Sequence, residues 1–232
     1  LMLRSSGHVG GDLVGFFPAG PGHLGLFSID VSGHGISSAL MTARLAGYLS
    51  ATAPDQNVAL RRMDDGNYAF LPPERVIETL NDLDLDEMET EHYFTLLLAD
   101  ENLTNGHVCM AQAGHPHPAI QRKDGTIQQE GPGGFPVGLM SEISFTQFET
   151  KLEPGDRLLL LSDGVTECPN AEGDMLEESG VEKLMRDLAD VSGPAFFEAL
   201  LWNLGEFAGY QTFPDDVSGI LFEYHGTEVP KK

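Results

Sequence analysis

The chain has 232 residues, 41% of them hydrophobic, and a formal net charge of −23. That apolar content suffices for one cored domain, and the sequence has no run of 18 or more apolar residues to offer as a membrane span. So large an acidic surplus disfavours nucleic acid and anionic membrane surfaces as partners, because both are gripped through Lys and Arg.

Leu13 to Pro18 and His23 to Ile29 read as strands joined by the loop Ala19-Gly20-Pro21-Gly22. The second strand feeds Asp30-Val31-Ser32-Gly33-His34-Gly35. Asp30 is therefore expected at a strand end, beside a glycine turn and bare carbonyls, a hard-oxygen setting suited to Mg²⁺ or Mn²⁺. A helix apolar on most sides is predicted for Ile36 to Ser50. From Ala53 to Pro73 the pattern breaks around Asp64-Asp65-Gly66-Asn67, which predicts a surface hairpin, and Arg61 and Arg62 suggest a flap that helps recognise a protein substrate. Pro73 to Met88 reads as a helix, and the acids Asp82, Asp84, Asp86, Glu87, Glu89 and Glu91 as its solvated end.

Strands then dominate. Three hairpins are predicted: Tyr93–Ala99 with His107–Ala111, Pro118–Arg122 with Thr126–Gln129, and Ser144–Leu152 with Asp156–Leu161. Two amphipathic helices follow, marked by Val181, Leu184, Met185 and Leu188 and by Phe197, Leu200, Leu201 and Leu204. Val217 to Tyr224 closes the chain as a strand, and residues 226–232 are expected to fray. Hairpins with helices grouped in pairs predict stacked sheets with helices outside, in a single domain over residues 1–225. Cys109 and Cys168 form no disulfide framework, which fits a reducing, cytoplasmic setting. The first motif stands so near residue 1 that an upstream sensory or receiver domain is expected in a longer protein.

An Asp followed by Gly is usually a turn residue or a helix cap. Here such acids recur: Asp12 after Gly10-Gly11, Asp163 after Leu158 to Ser162, and Asp215 and Asp216 ahead of the last strand. If these ends converge, four carboxylates can hold two cations. His115 and His117 lack a partner set with zinc spacing.

The segments Gly10-Gly11-Asp12, Asp30 to Gly35, Ala113 to Pro116, Gly134 to Gly138, Pro154 to Arg157 with Ser162 to Glu167, and Asp215 to Ser218 occur in the order of a known family. The sequence resembles the bacterial, stage II E-like sporulation-phosphatase branch of the metal-dependent protein phosphatase 2C superfamily. The resemblance implies an α+β fold, a four-layer α-β-β-α sandwich of two antiparallel sheets flanked by helices. It implies a Mn²⁺- or Mg²⁺-dependent serine/threonine protein phosphatase with two ions, acting on a phosphorylated anti-sigma-factor antagonist or a similar signalling phosphoprotein. Carried over by position, Asp30 would bridge the ions with the Val31 carbonyl beside it, and Asp12 would serve the first ion or its water shell. Asp163 and Asp215 would hold the second ion, with Asp216 as the alternative to Asp215. Asp30 and Asp163 are the expected catalytic pair, and Gly164, His34 and His115 are further candidates. Departures are Gly15 where the family carries an acid, the spacing of Arg4, and the late place of His34. Gly15 predicts weak, reversible metal binding that an acid would tighten, and supports the alternative of a pseudophosphatase that docks a partner without turnover.

Overall fold

The computed structural model describes residues 1–7, 10–33, 35–87 and 92–227. His34, the end of the acidic stretch after Glu87, and most of the tail lie outside the described residues. Two five-stranded antiparallel sheets face each other. One sheet has the order β1 (Met2–Arg4), β12 (Val217–Glu223), β11 (Arg157–Leu161), β8 (Ala119–Gln121), β9 (Ile127–Gln129). The other has the order β10 (Gln147–Lys151), β7 (His107–Ala113), β6 (Phe94–Asn102), β3 (His23–Val31), β2 (Asp12–Pro18). Helices α1 (Ile36–Tyr48) and α2 (Pro73–Glu87) cover the β10–β2 sheet, and α4 (Glu177–Asp187) and α5 (Pro194–Phe207) cover the other. This is the expected four-layer sandwich.

Strand alternation explains the layers. Leu158 and Leu160 of β11 join Leu26, Leu97, Ala99 and Met110 between the sheets, while Leu159 and Leu161 point to α4 and α5. A run such as Leu158 to Leu161 is continuously apolar because both of its faces are covered. On the opposite side Phe17, Ile29, Leu96 and Leu98 meet Met41, Leu45, Val76, Ile77 and Leu80 of α1 and α2. Fully burying each such side chain contributes roughly 1.5–3 kcal/mol.

Three expectations change. The segments around Pro154-Gly155 do not form a hairpin: β10 pairs with β7 and β11 with β8 and β12, so the connection crosses between sheets. Turn chemistry marks a reversal of direction but not the partner. The predicted hairpin is present as β4 (Leu60–Arg62) and β5 (Tyr68–Phe70), but it is seated at the Pro18–His23 end of β2 and β3. There the Phe70 ring stacks on Phe17 at 5.6 Å and Tyr68 donates to Asp55 at 2.6 Å. Asp12 and Asp30 are at the other end of those strands, roughly 20 Å away at the usual rise, so the hairpin does not overhang them. Within the acidic stretch Asp84 is buried rather than solvated, and burial raises its pKa to about 6, opposed by Arg44 and His92.

Candidate active site

Asp12 and Asp30 are direct cross-strand partners, and Thr95 of β6 is the partner of Asp30 on its other side. All three project between the sheets, where the apolar filling gives way to polar groups: Ser28, Gln112, Ser162 and Ser218 are buried here too. The first turn after β3 uses Gly33 and Gly35 at φ 82° and 95°, a left-handed backbone that glycine adopts freely. The Val31 N–H donates to the Gly11 carbonyl at 3.3 Å, and its own carbonyl faces Gly11, where a side chain would collide with it.

The other sheet brings the remaining acids. Asp163 opens a one-turn helix, α3 (Asp163–Thr166), at the end of β11. Gly164 packs so closely on the Asp216 carbonyl that a Cβ would overlap it. This contact sets Asp163 against Asp215 and Asp216, just ahead of β12. Ser162 fastens the same corner. Its N–H donates to the Ser218 carbonyl at 3.1 Å, and its hydroxyl accepts from the Ser218 N–H at 2.9 Å and donates to the Asp216 carbonyl at 3.3 Å. Ser162 and Ser218 were not among the sequence candidates; their place directly before Asp163 and after Asp216-Val217 was the available signal.

The electrostatics identify a cluster. Burial first, then the charges of Asp163, Asp12 and Asp215, push Asp30 up to about 8. Burial raises Asp12 to about 6, with Asp216 adding to the rise and the nearby Ser218 and Ser162 hydroxyls moderating it. Burial, then Asp215, Glu167 and Asp12, raises Asp163 to about 6. Asp12 Oδ2 is buried without a hydrogen-bond partner. Among the described residues no three acid, histidine or cysteine side chains close into a ready-made cage. Asp30 nevertheless lies within electrostatic reach of Asp12, Asp163 and Asp215. Hard oxygen donors, an orphaned carboxylate oxygen and mutually opposed charges fit divalent Mn²⁺ or Mg²⁺.

These shifts have a sign. A carboxylate whose folded pKa is raised binds its proton more tightly folded than unfolded, so ionising it destabilises the fold. Between pH 4, near the unfolded value, and pH 8, the folded value of Asp30, the metal-free protein is expected to lose stability as pH rises. A fall in melting temperature of roughly 5 °C from pH 5 to pH 8 is expected. Thermal melts in chelator, repeated with Mn²⁺ to remove the fall, measure it.

Other candidates sit differently. Asp216 is buried and accepts hydrogen bonds from Ser6 and Asp12, while Asp215 is exposed at the mouth. His115 is buried, bonds Thr95 Oγ1 at 2.9 Å, and is driven down to about 3 by burial, so it stays neutral. His117 points elsewhere, to Glu178 at 3.1 Å. Both cysteine thiols are pushed up by burial, which makes them poor nucleophiles.

Gly15 corrects an expectation. It pairs with Phe27 on the opposite face of β2 from Asp12, and a Cβ there would meet the Phe27 ring at 2.4 Å. An acid at this position enters the core under α1 and α2 rather than the carboxylate cluster. Gly15→Asp is therefore expected to cost about 2–4 kcal/mol of stability and to leave Mn²⁺ affinity no tighter. Urea unfolding and titration calorimetry measure both.

Comparison with known proteins agrees with this geometry. The chain is 28% identical over 159 residues to phosphoserine phosphatase RsbU of Bacillus subtilis, covering 68% of this chain and 43% of that one. It is 28% identical over 166 residues to phosphoserine phosphatase RsbP of the same organism, covering 70% and 38%. The chain thus spans less than half the length of these two relatives. Among solved structures, the SiaA PP2C domain of Pseudomonas aeruginosa has a TM-score of 0.78 at 18% identity, covering 96% of this chain and 84% of that one. The RsbU and RsbW domains of Rv1364c from Mycobacterium tuberculosis reach 0.71 at 23% identity, covering 95% and 58%. The sandwich is thus a protein phosphatase 2C-like fold. The family described as Stage II sporulation protein E matches residues 20–225. By that match, over most of its length, the chain belongs to the stage II sporulation protein E family.

Proposed function

We propose that the chain is a metal-dependent serine/threonine phosphoprotein phosphatase, with residues 1–225 acting as one domain of a longer cytoplasmic regulator. The observation that carries this reading is the convergence of Asp12, Asp30 and Asp163 at one mouth of the sandwich, where their charges and that of Asp215 oppose one another. A bound pair of Mn²⁺ or Mg²⁺ ions supplies Lewis-acid stabilisation of phosphoryl oxygens and a water of lowered pKa. Asp30, which feels the charges of Asp163, Asp12 and Asp215, would be the carboxylate shared by the ions, with the Val31 carbonyl beside it. Asp12 would hold one ion or its water shell, and Asp163 and Asp215 would hold the other. His115, buried and with its pKa lowered by that burial, bonds Thr95, the cross-strand partner of Asp30. The Ser162 hydroxyl is buried and bonded on both sides to backbone, to the Asp216 carbonyl and the Ser218 N–H, so it is not placed as a nucleophile. The chain's own contribution is to hold carboxylates on rigid strand ends, the positioning such chemistry requires.

RsbU and RsbP are named phosphoserine phosphatases, which supports phosphoserine as the target. The resemblance supports an anti-sigma-factor antagonist as the protein bearing it. The binding-module alternative relied on Gly15, and that position lies away from the carboxylates. To test the reading, phosphate release is followed from a phosphoserine-bearing antagonist protein and from p-nitrophenyl phosphate, with Mn²⁺ and with EDTA. Release from both with Mn²⁺ and from neither with EDTA is expected. Tight docking of the phosphoprotein without turnover would favour the binding module.

A further inference from the structure

Asp216 stands beside a cation ligand of the proposed site, yet its carboxylate is committed elsewhere. Oδ1 accepts the Ser6 N–H at 2.7 Å and the Ser6 hydroxyl at 3.1 Å. Oδ2 accepts the Asp12 N–H at 3.3 Å. Gly10 makes room for this: a Cβ on it would fall 2.0 Å from Asp216 Oδ2. The Asp216 carbonyl receives the Ser162 hydroxyl, and its N–H donates to Asp215 Oδ1 at 2.7 Å. One buried residue thereby joins the loop before Asp12, the turn before Asp163, and Asp215 itself. Ser6 follows β1, and β1 pairs with β12 through Arg4 and Val217. The N-terminal segment is therefore bonded along the strand that carries Asp215 and Asp216 at its head.

We propose that Asp216 is a positioning residue rather than a cation ligand, and that Ser6 latches it so that Asp12 is held ready for the cation. The proposal rests on the reading above only for the use to which the cation is put. With both carboxylate oxygens turned to N–H and O–H donors, Asp216 has little left to offer an ion. Asp216 grips the Asp12 backbone and not its carboxylate, whose Oδ2 is buried without a hydrogen-bond partner. The N-terminal segment then sets cation affinity: lifting it from β12 removes Ser6 from Asp216 and loosens Asp12.

Outer partners that orient a ligand typically change metal affinity by roughly 10–100-fold when removed. Asp216→Ala is expected to weaken Mn²⁺ binding by that order in titration calorimetry. Asp216→Asn keeps an oxygen for Ser6 and should recover part of the loss. Ser6→Ala removes one hydroxyl outside the carboxylate cluster. It should weaken Mn²⁺ binding by roughly threefold, with no added effect in the Asp216→Ala background. A readout that needs no metal accompanies these. Hydrogen exchange at the Asp12 amide of the chelator-treated protein should quicken in Asp216→Ala and, to a smaller degree, in Ser6→Ala. The latch is overturned if the Asp12 amide exchanges equally fast in wild type and Asp216→Ala. It is overturned also if Ser6→Ala leaves Mn²⁺ affinity unchanged while Asp216→Asn loses as much as Asp216→Ala, the pattern of a direct ligand. A wild-type protein that releases no phosphate yet shows the amide and affinity changes would sink the phosphatase reading and leave the latch standing.

Discussion

Asp30→Asn is expected to lower phosphate release by about a thousandfold or more, the order lost when a group acting in the transition state is removed, and Asp163→Asn to do nearly the same. The substitution is isosteric and removes a charge that the folded protein resists. Burial and the charges of Asp163, Asp12 and Asp215 already push the Asp30 carboxyl up to about 8. In the absence of metal, Asp30→Asn should therefore melt at the same temperature as wild type or higher at neutral pH. Lost activity with kept or raised stability separates a ligand from a structural residue. Near-normal hydrolysis by either variant at saturating Mn²⁺ would remove that acid from the chemistry and sink the two-ion assignment.

Gly164→Ala should damage fold and site together. The new Cβ would lie 1.9 Å from the Asp216 carbonyl, which is backbone and cannot swing aside. Either α3 or the Asp215-Asp216 turn must move, at a cost of about 2–4 kcal/mol. The movement separates Asp163 from Asp215, so Mn²⁺ affinity should fall by roughly tenfold or more. Urea unfolding and calorimetry on one preparation measure both. A variant with wild-type stability and affinity would show that the corner is looser than the contact implies.

The motifs at Asp12, Asp30, Asp163 and Asp215 were legible because turn chemistry and strand ends are local properties of the sequence. The sandwich was legible because apolar periodicity marks the elements. What escaped was pairing and facing. Pro154-Gly155 announces a turn, but only the tertiary structure sends β10 and β11 to different sheets. Gly15 stands three residues from Asp12, and strand alternation already puts it on the other face; the motif comparison hid that simple geometry. The hairpin's basic residues suggested a flap, while the Phe70–Phe17 stacking that docks it at the far end depends on residues distant in sequence. His115 could not be told from a catalytic histidine until its burial was known.

The most direct test of the account is phosphate release from p-nitrophenyl phosphate by dialysed, metal-free protein as Mn²⁺ is added back, with wild type and Asp30→Asn side by side. The account predicts no release before addition, saturable activation of the wild type, and none of the variant. Equal release by the two proteins, or wild-type release that persists in EDTA, would contradict it.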